Sequence, residues 1–173
     1  MHSVELLFDP ESEAGVRRIW DDLTGAGVRS LASSTSPSNR PHVTLSVAEH
    51  MDDAVNDLLR PVLRLLPFAF TIGAPMLFGR GPFTLVRSVV PSAELLALQA
   101  EVHEACLPHM SPGPLLHAEP GQWTPHVTLA RRLREERLAD ALSLRRMARD
   151  RKVTAVALRH WDGNERVEFP IGG

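Results

Sequence analysis

The chain has 173 residues, 43% of them hydrophobic and 23% charged, with a net charge of -2, which suits one globular domain with a core of its own. No apolar run approaches the roughly 20 residues of a bilayer-spanning helix, so a transmembrane anchor is excluded, and the charge balance excludes a global basic field for nonspecific nucleic-acid binding. A single cysteine, Cys106, cannot form an internal disulfide; the expected setting is a reducing cytoplasm, with a monomer and no membrane partner.

In chain order, His2 to Phe8 is apolar and β-branched enough to read as a strand, and as the start of a mature protein rather than an export signal. Glu11 and Glu13 then open a helical pattern through Val16, Ile19, Trp20 and Leu23 that stops at Gly25 and Gly27. Ser30 to Arg40 is a Ser-rich loop. A strand at Pro41–Val47, a helix over 52–66 and a strand over 68–72 follow. Gly79-Arg80-Gly81 lacks the following helix and further glycine of a dinucleotide loop, so it reads as a tight connection to a strand over Phe83–Val90. Pro91 and Ser92 begin a helix with Leu95, Leu96, Leu98, Val102 and Cys106 on its apolar side; residues 112–124 form a second loop, and 125–131 a strand. The last expected elements are a helix over 133–150 and a strand over 153–158.

Pro-His-Val-Thr-Leu occurs at 41–45 and again at 125–129, an offset of 84 in a chain of 173, and the flanking elements repeat at the same offset. The predicted fold is α+β: a single domain, 1–173, with an internal repeat of approximately 1–80 and 81–173. Its two similar lobes, each an antiparallel-rich sheet with two helices, are related by a pseudo-twofold axis with a cleft between them.

On a strand, alternate residues share a face, about 6.6–7 Å apart. His42 therefore shares a face with Thr44, and His126 with Thr128, while Val43, Leu45 and Val47, like Val127 and Leu129, take the opposite, core-facing side. A histidine exchanges protons near neutral pH and a Thr hydroxyl donates to an anionic oxygen, so two such pairs describe a pocket for one phosphate with an acid and a base.

Two His-x-Thr motifs half a chain apart resemble the 2H phosphoesterases, and Pro-His-Val-Thr-Leu-Ala-Arg at 125–131 resembles the branch of bacterial 2′-5′ RNA ligases and RNA 2′,3′-cyclic phosphodiesterases. The resemblance implies metal-independent, cofactor-free opening of a 2′,3′-cyclic phosphate on RNA ends or small nucleotides, typically to a 2′-phosphate, with His42, Thr44, His126 and Thr128 catalytic. Ligation through a 2′-5′ bond is the same site run in reverse. A nucleotide-binding module without turnover and an enzyme for another cyclic or 2′-5′-linked metabolite are the other readings. Which histidine is acid and which is base stays open.

Arg131 matches the basic residue that follows the second motif in that branch, although strict alternation puts it off the histidine face. After the first motif Leu45-Ser46-Val47 replaces a more aromatic continuation, and with no Tyr in the chain, base stacking falls to Phe or Trp. Arg40 shares parity with His42 and is a candidate phosphate ligand; Trp123 is a candidate stacking residue, although its parity with Val127 favours packing in the core or between lobes. Residues 131–152 carry nine bases against four acids, either a place for a phosphate-bearing partner or a solvated helix face. His103, Cys106 and His109 drift around a helix that Pro108 interrupts, so no metal site is expected and Cys106 reads as packing. No Gly-x-Ser-x-Gly elbow is present.

Overall fold

The computed structural model describes residues 1–172. Strand β1 (His2–Phe8) leads into helix α1 (Pro10–Gly25), whose start is fixed by the Asp9 carboxylate accepting the Ser12 N–H at 2.8 Å and by Pro10 in the first turn. Val16, Ile19, Trp20 and Leu23 form its buried stripe. Strand β2 (His42–Met51) follows, then the short α2 (Val55–Leu58), β3 (Phe68–Phe78), β4 (Phe83–Val89) and α3 (Ala93–Cys106), which Ser92 caps. The chain ends with β5 (Met110–Pro114), β6 (His126–Leu133), α4 (Leu138–Leu142), β7 (Arg151–Asp162) and β8 (Val167–Pro170).

Two expected helices are much shorter than their sequence patterns. Over 52–66 the Asp52 side chain accepts the Ala54 N–H in a local turn, and Pro61, which has no N–H to donate, converts the remainder to a 3-10 turn at Arg60–Leu65. Over 133–150 β6 itself extends to Leu133, and the later segment buries little beyond Ala141 and Met147; without an apolar face to dock, it breaks into α4 between two 3-10 turns. Conversely, β3 and β7 outrun the predicted 68–72 and 153–158. Pro75 obscures the continuation of β3, which pairs with β4 through Phe78 opposite Thr84 after an irregularity between Ile72 and Pro75. The second expected loop begins as an edge strand, β5.

All strand pairs are antiparallel, in the order β5-β2-β1-β7-β3-β4-β6 with β8 beside β7. This order reads alike from both ends. The set β2-β1-β7 is answered by β6-β4-β3, and the pairing of β5 on β2 by a single bridge from Ser30 to Ala130 beside β6. Each half of the sheet therefore takes strands from both halves of the sequence. The sheet curls until Cα atoms of β2 and β6, which share no ladder, come within 8 Å. Helix α3 packs on β2 and α1 against β6, and Val43, Leu45, Val127 and Leu129 enter the common core.

Candidate active site

The two motif strands carry the same irregularity at the same place. In β2, Thr44 lies opposite Glu5 but Ser46 opposite the adjacent Val4, which leaves Leu45 as an extra residue. In β6, Thr128 lies opposite Val86 and Ala130 opposite the adjacent Leu85, which leaves Leu129 extra. A bulge shifts strand parity by one. Beyond each bulge Ser46 and Ala130 are buried, whereas Val47 and Arg131 line a groove of about 540 Å³ together with His42 and Thr44. The expectation from strict alternation is thus corrected: Arg131 opens onto the histidine groove, and Val47, expected in the core, holds the matching position across from it.

Both histidines are held by their own strand entry. His42 Nδ1 lies 2.7 Å from the Arg40 carbonyl oxygen and His126 Nδ1 lies 2.8 Å from that of Thr124. A carbonyl only accepts, so in each ring Nδ1 carries the proton and donates it, and Nε2 is left for chemistry. The backbone of each threonine is braced by an indole from the other half of the sequence. Trp123 Nε1 donates to the Thr44 carbonyl at 3.0 Å, and Trp20 Nε1 to the Thr128 carbonyl at 3.3 Å.

The surroundings of the two rings differ. The Glu5 carboxylate lies 3.5 Å from His42 Nδ1, whereas the register-equivalent neighbour on the His126 side is Val86, fully buried and apolar. Glu5 is itself buried and accepts from Arg159 Nε at 2.8 Å and from the Ser3 hydroxyl at 2.7 Å. Burial alone would raise its pKa; the charges of His42 and Arg159 and these hydrogen bonds outweigh that and hold the carboxyl below its ordinary range. His126 shifts downward from the ordinary histidine value, because burial disfavours its cation and the charge of His42 adds to this, against the opposing bond to Thr124. A buried carboxylate thus stands beside one ring and an apolar wall beside the other.

The family described as the 2′-5′ RNA ligase superfamily matches residues 8–165. The chain belongs to this superfamily, the 2H phosphoesterases. Among solved structures it is similar to one titled as a crystal structure of a phosphoesterase, with 14% identity, a TM-score of 0.52 and coverage of 98% of this chain and 92% of that one. It is also similar to Usb1 of Kluyveromyces marxianus, with 15% identity, a TM-score of 0.53 and coverage of 98% and 96%. At these identities the likeness concerns the fold. No curated protein sequence matches. Membership in the superfamily supports a phosphodiesterase-type function.

Within this 2H phosphoesterase, Arg40 borders the groove with its guanidinium held by the Glu13 carboxylate through Nε at 3.0 Å and a terminal nitrogen at 2.7 Å. Trp123 is partly buried against the core and lines a smaller pocket of about 220 Å³ with Thr44, Phe78 and His126. Its role as a brace uses the indole N–H, and its ring still borders that pocket. Phe78 meets the His126 ring edge-on at 4.8 Å between centroids, an aromatic contact the sequence had not singled out. Glu5 and Arg159 were missed too: Glu5 interrupts the apolar run Val4–Phe8, which is the signal that could have found it, whereas Arg159 lies just past the predicted end of its strand at 158. His103 and Cys106 are buried on α3, where burial pushes the Cys106 thiol up to about 12. Among the described residues no group of three or more His, Cys, Asp or Glu is arranged to hold a metal, and no helix is long and apolar enough to cross a membrane.

Proposed function

We propose that the protein is a metal-independent phosphodiesterase that opens 2′,3′-cyclic phosphate ends of RNA or nucleotides to 2′-phosphates. The observation that carries this reading is the matched anchoring of His42 and His126, each with Nδ1 donating to a backbone carbonyl and Nε2 left available. His126, biased toward its neutral form, takes a proton from water through Nε2 as the water oxygen bonds to phosphorus. The phosphorus–O3′ bond breaks, and His42, beside the Glu5 carboxylate, delivers its Nε2 proton to the departing 3′ oxygen. Thr44 and Thr128 hold the nonbridging oxygens, and Arg131 adds positive charge at the groove. With the 5′-hydroxyl of a second strand in place of water, the same attack on phosphorus, with the P–O3′ bond breaking and His42 protonating O3′, would form a 2′-5′ bond. Incubation with 2′,3′-cyclic mononucleotides and cyclic-ended oligonucleotides, with products assigned by phosphorus NMR, tests this directly. The 2′-phosphate is expected, and absence of turnover on the whole panel overturns the reading.

The assignment of acid and base makes a separate prediction. Glu5, with its pKa depressed, is ionised above the ordinary carboxylate range and loses its charge only as pH falls through its lower folded value, so across a neutral assay range it is a constant negative charge. Glu5→Gln is expected to lower kcat/KM by about 10-fold across that range, the scale of one nearby opposite charge, and to leave the acid limb in place. A kcat/KM unchanged by the substitution would remove Glu5 from the mechanism.

Activity is expected to survive exhaustive chelation. The carboxylate nearest either histidine is already engaged by Arg159, and the proposed steps need no Lewis acid. Loss in EDTA with recovery on adding a divalent ion would overturn this.

A further inference from the structure

Where β6 leaves the site, the chain concentrates positive charge, of which the proposed catalysis uses only Arg131. Successive strand residues point to opposite faces, yet past the Leu129 bulge Arg131 and Arg132 are both exposed. Arg132 holds a φ of 57°, a left-handed conformation disfavoured for a residue with a Cβ. A second groove, about 560 Å³, opens here between Arg29 and Ser30, on the segment after α1, and Arg132, Arg134 and Arg137. Arg131 lines this groove and the histidine groove alike, so the two meet at its side chain.

Most of these charges are uncompensated. Among the described residues Arg137 is paired with Asp140 at 3.2 Å, while no carboxylate comes within 4.0 Å of Arg29, Arg131, Arg132 or Arg134. Four free guanidinium groups around one groove repel each other, and this occurs in a chain whose net charge is -2. Another arginine-lined groove, at 145–152, includes Asp150 and shares no lining residue with the histidine groove; there Arg146 is tied to Asp22 at 2.5 Å. Only the first continues the path that a chain attached to the reacting phosphate would follow.

We infer that the groove of Arg29, Arg132 and Arg134 binds the phosphodiester backbone of nucleotides on the 5′ side of the reacting end, which makes a single-stranded oligonucleotide, rather than a mononucleotide, the preferred ligand. Guanidinium forks match phosphate oxygens in geometry as well as charge. Arg131 marks the junction between the reacting end and this track. The inference rests on the proposed function for the identity of that end; the binding of the backbone does not depend on turnover.

Fluorescence anisotropy with a fluorescein-labelled eight-nucleotide RNA ending in a 2′-phosphate, against wild type and the triple variant Arg29→Gln, Arg132→Gln, Arg134→Gln, tests it. The side chains replaced are exposed, and the thermal transition of the variant checks that the fold is kept. Wild type is expected to bind the oligomer at least about 10-fold more tightly than a 2′-mononucleotide. The triple variant loses that advantage, and the slope of log Kd against log salt falls by about 2, near 0.7 for each lost phosphate contact. Binding of the mononucleotide stays as in wild type. Equal oligomer affinity in both proteins, an equal loss for the mononucleotide, or competition by polyglutamate as effective as by RNA would each overturn the inference. If wild type turns over no cyclic phosphate, the proposed hydrolysis fails while the same anisotropy comparison still decides the groove.

Discussion

Replacing either histidine by alanine is expected to lower kcat by about 10² to 10⁴-fold, the scale of one positioned general acid or base, and to change the pH profile in opposite ways. Wild-type kcat/KM should be bell-shaped. Its acid limb belongs to His126, which must be neutral to accept a proton; because burial lowers the pKa of that ring, the limb falls below the ordinary histidine value of 6.5. His126→Ala removes that limb, and His42→Ala removes the alkaline one. His42 lines the larger groove and His126 the smaller pocket, and the core side of their strands is Val43 and Leu45 or Val127 and Leu129, so the fold should persist. Affinity for a nonhydrolysable phosphate ligand should fall less than turnover, since Thr44, Thr128 and Arg131 still hold the anion. A single variant with near wild-type turnover and an unchanged profile would mean that one group, or a residue outside the repeat, performs both transfers. Loss of the limbs in the opposite order would exchange the two roles.

The sequence disclosed the motif strands and their equivalence, because an identical pentapeptide half a chain apart needs no knowledge of packing. Strand β1 and helices α1 and α3 were legible from hydrophobic period and caps. The two bulges were not: an extra residue at Leu45 or Leu129 leaves no mark on composition, and it alone decides whether Arg131 faces the site. Glu5 and Arg159 lie 154 residues apart, so nothing local to either strand announces their pairing or its nearness to His42. The false helix lengths have other causes. Helical spacing at 52–66 and 133–150 was real, but Pro61 in one case and a shortage of buried side chains in the other prevented it from propagating.

Exchange between the two sequence halves ties the two motif strands into one frame. Trp20 from the first half braces the backbone of Thr128, and Trp123 from the second braces that of Thr44; Ser30 bridges to Ala130, while Pro114 pairs with Ala48. Neither motif strand has all its supports within its own half. The chemistry could then diverge within a symmetric frame, with Glu5 against Val86 and Val47 against Arg131 as the places where equivalent positions carry different side chains.

That bracing makes the threonine hydroxyls separable from the strands that carry them. Thr44→Val and Thr128→Val keep a β-branched side chain of nearly the same shape, suited to a strand, and leave untouched the carbonyls that accept from the two indoles. Each variant is therefore expected to stay folded and to lose about 10²-fold in kcat, the scale of one hydrogen-bond donor to charge developing in a transition state. KM should change much less, because the bond strengthens as the nonbridging oxygens gain charge during attack and contributes less to the ground state. A rise in KM with kcat preserved would make the hydroxyls ground-state anchors. Two variants that both turn over like wild type would leave Thr44 and Thr128 as strand residues only, and the charge of the transition state would then fall to Arg131 and the two histidines.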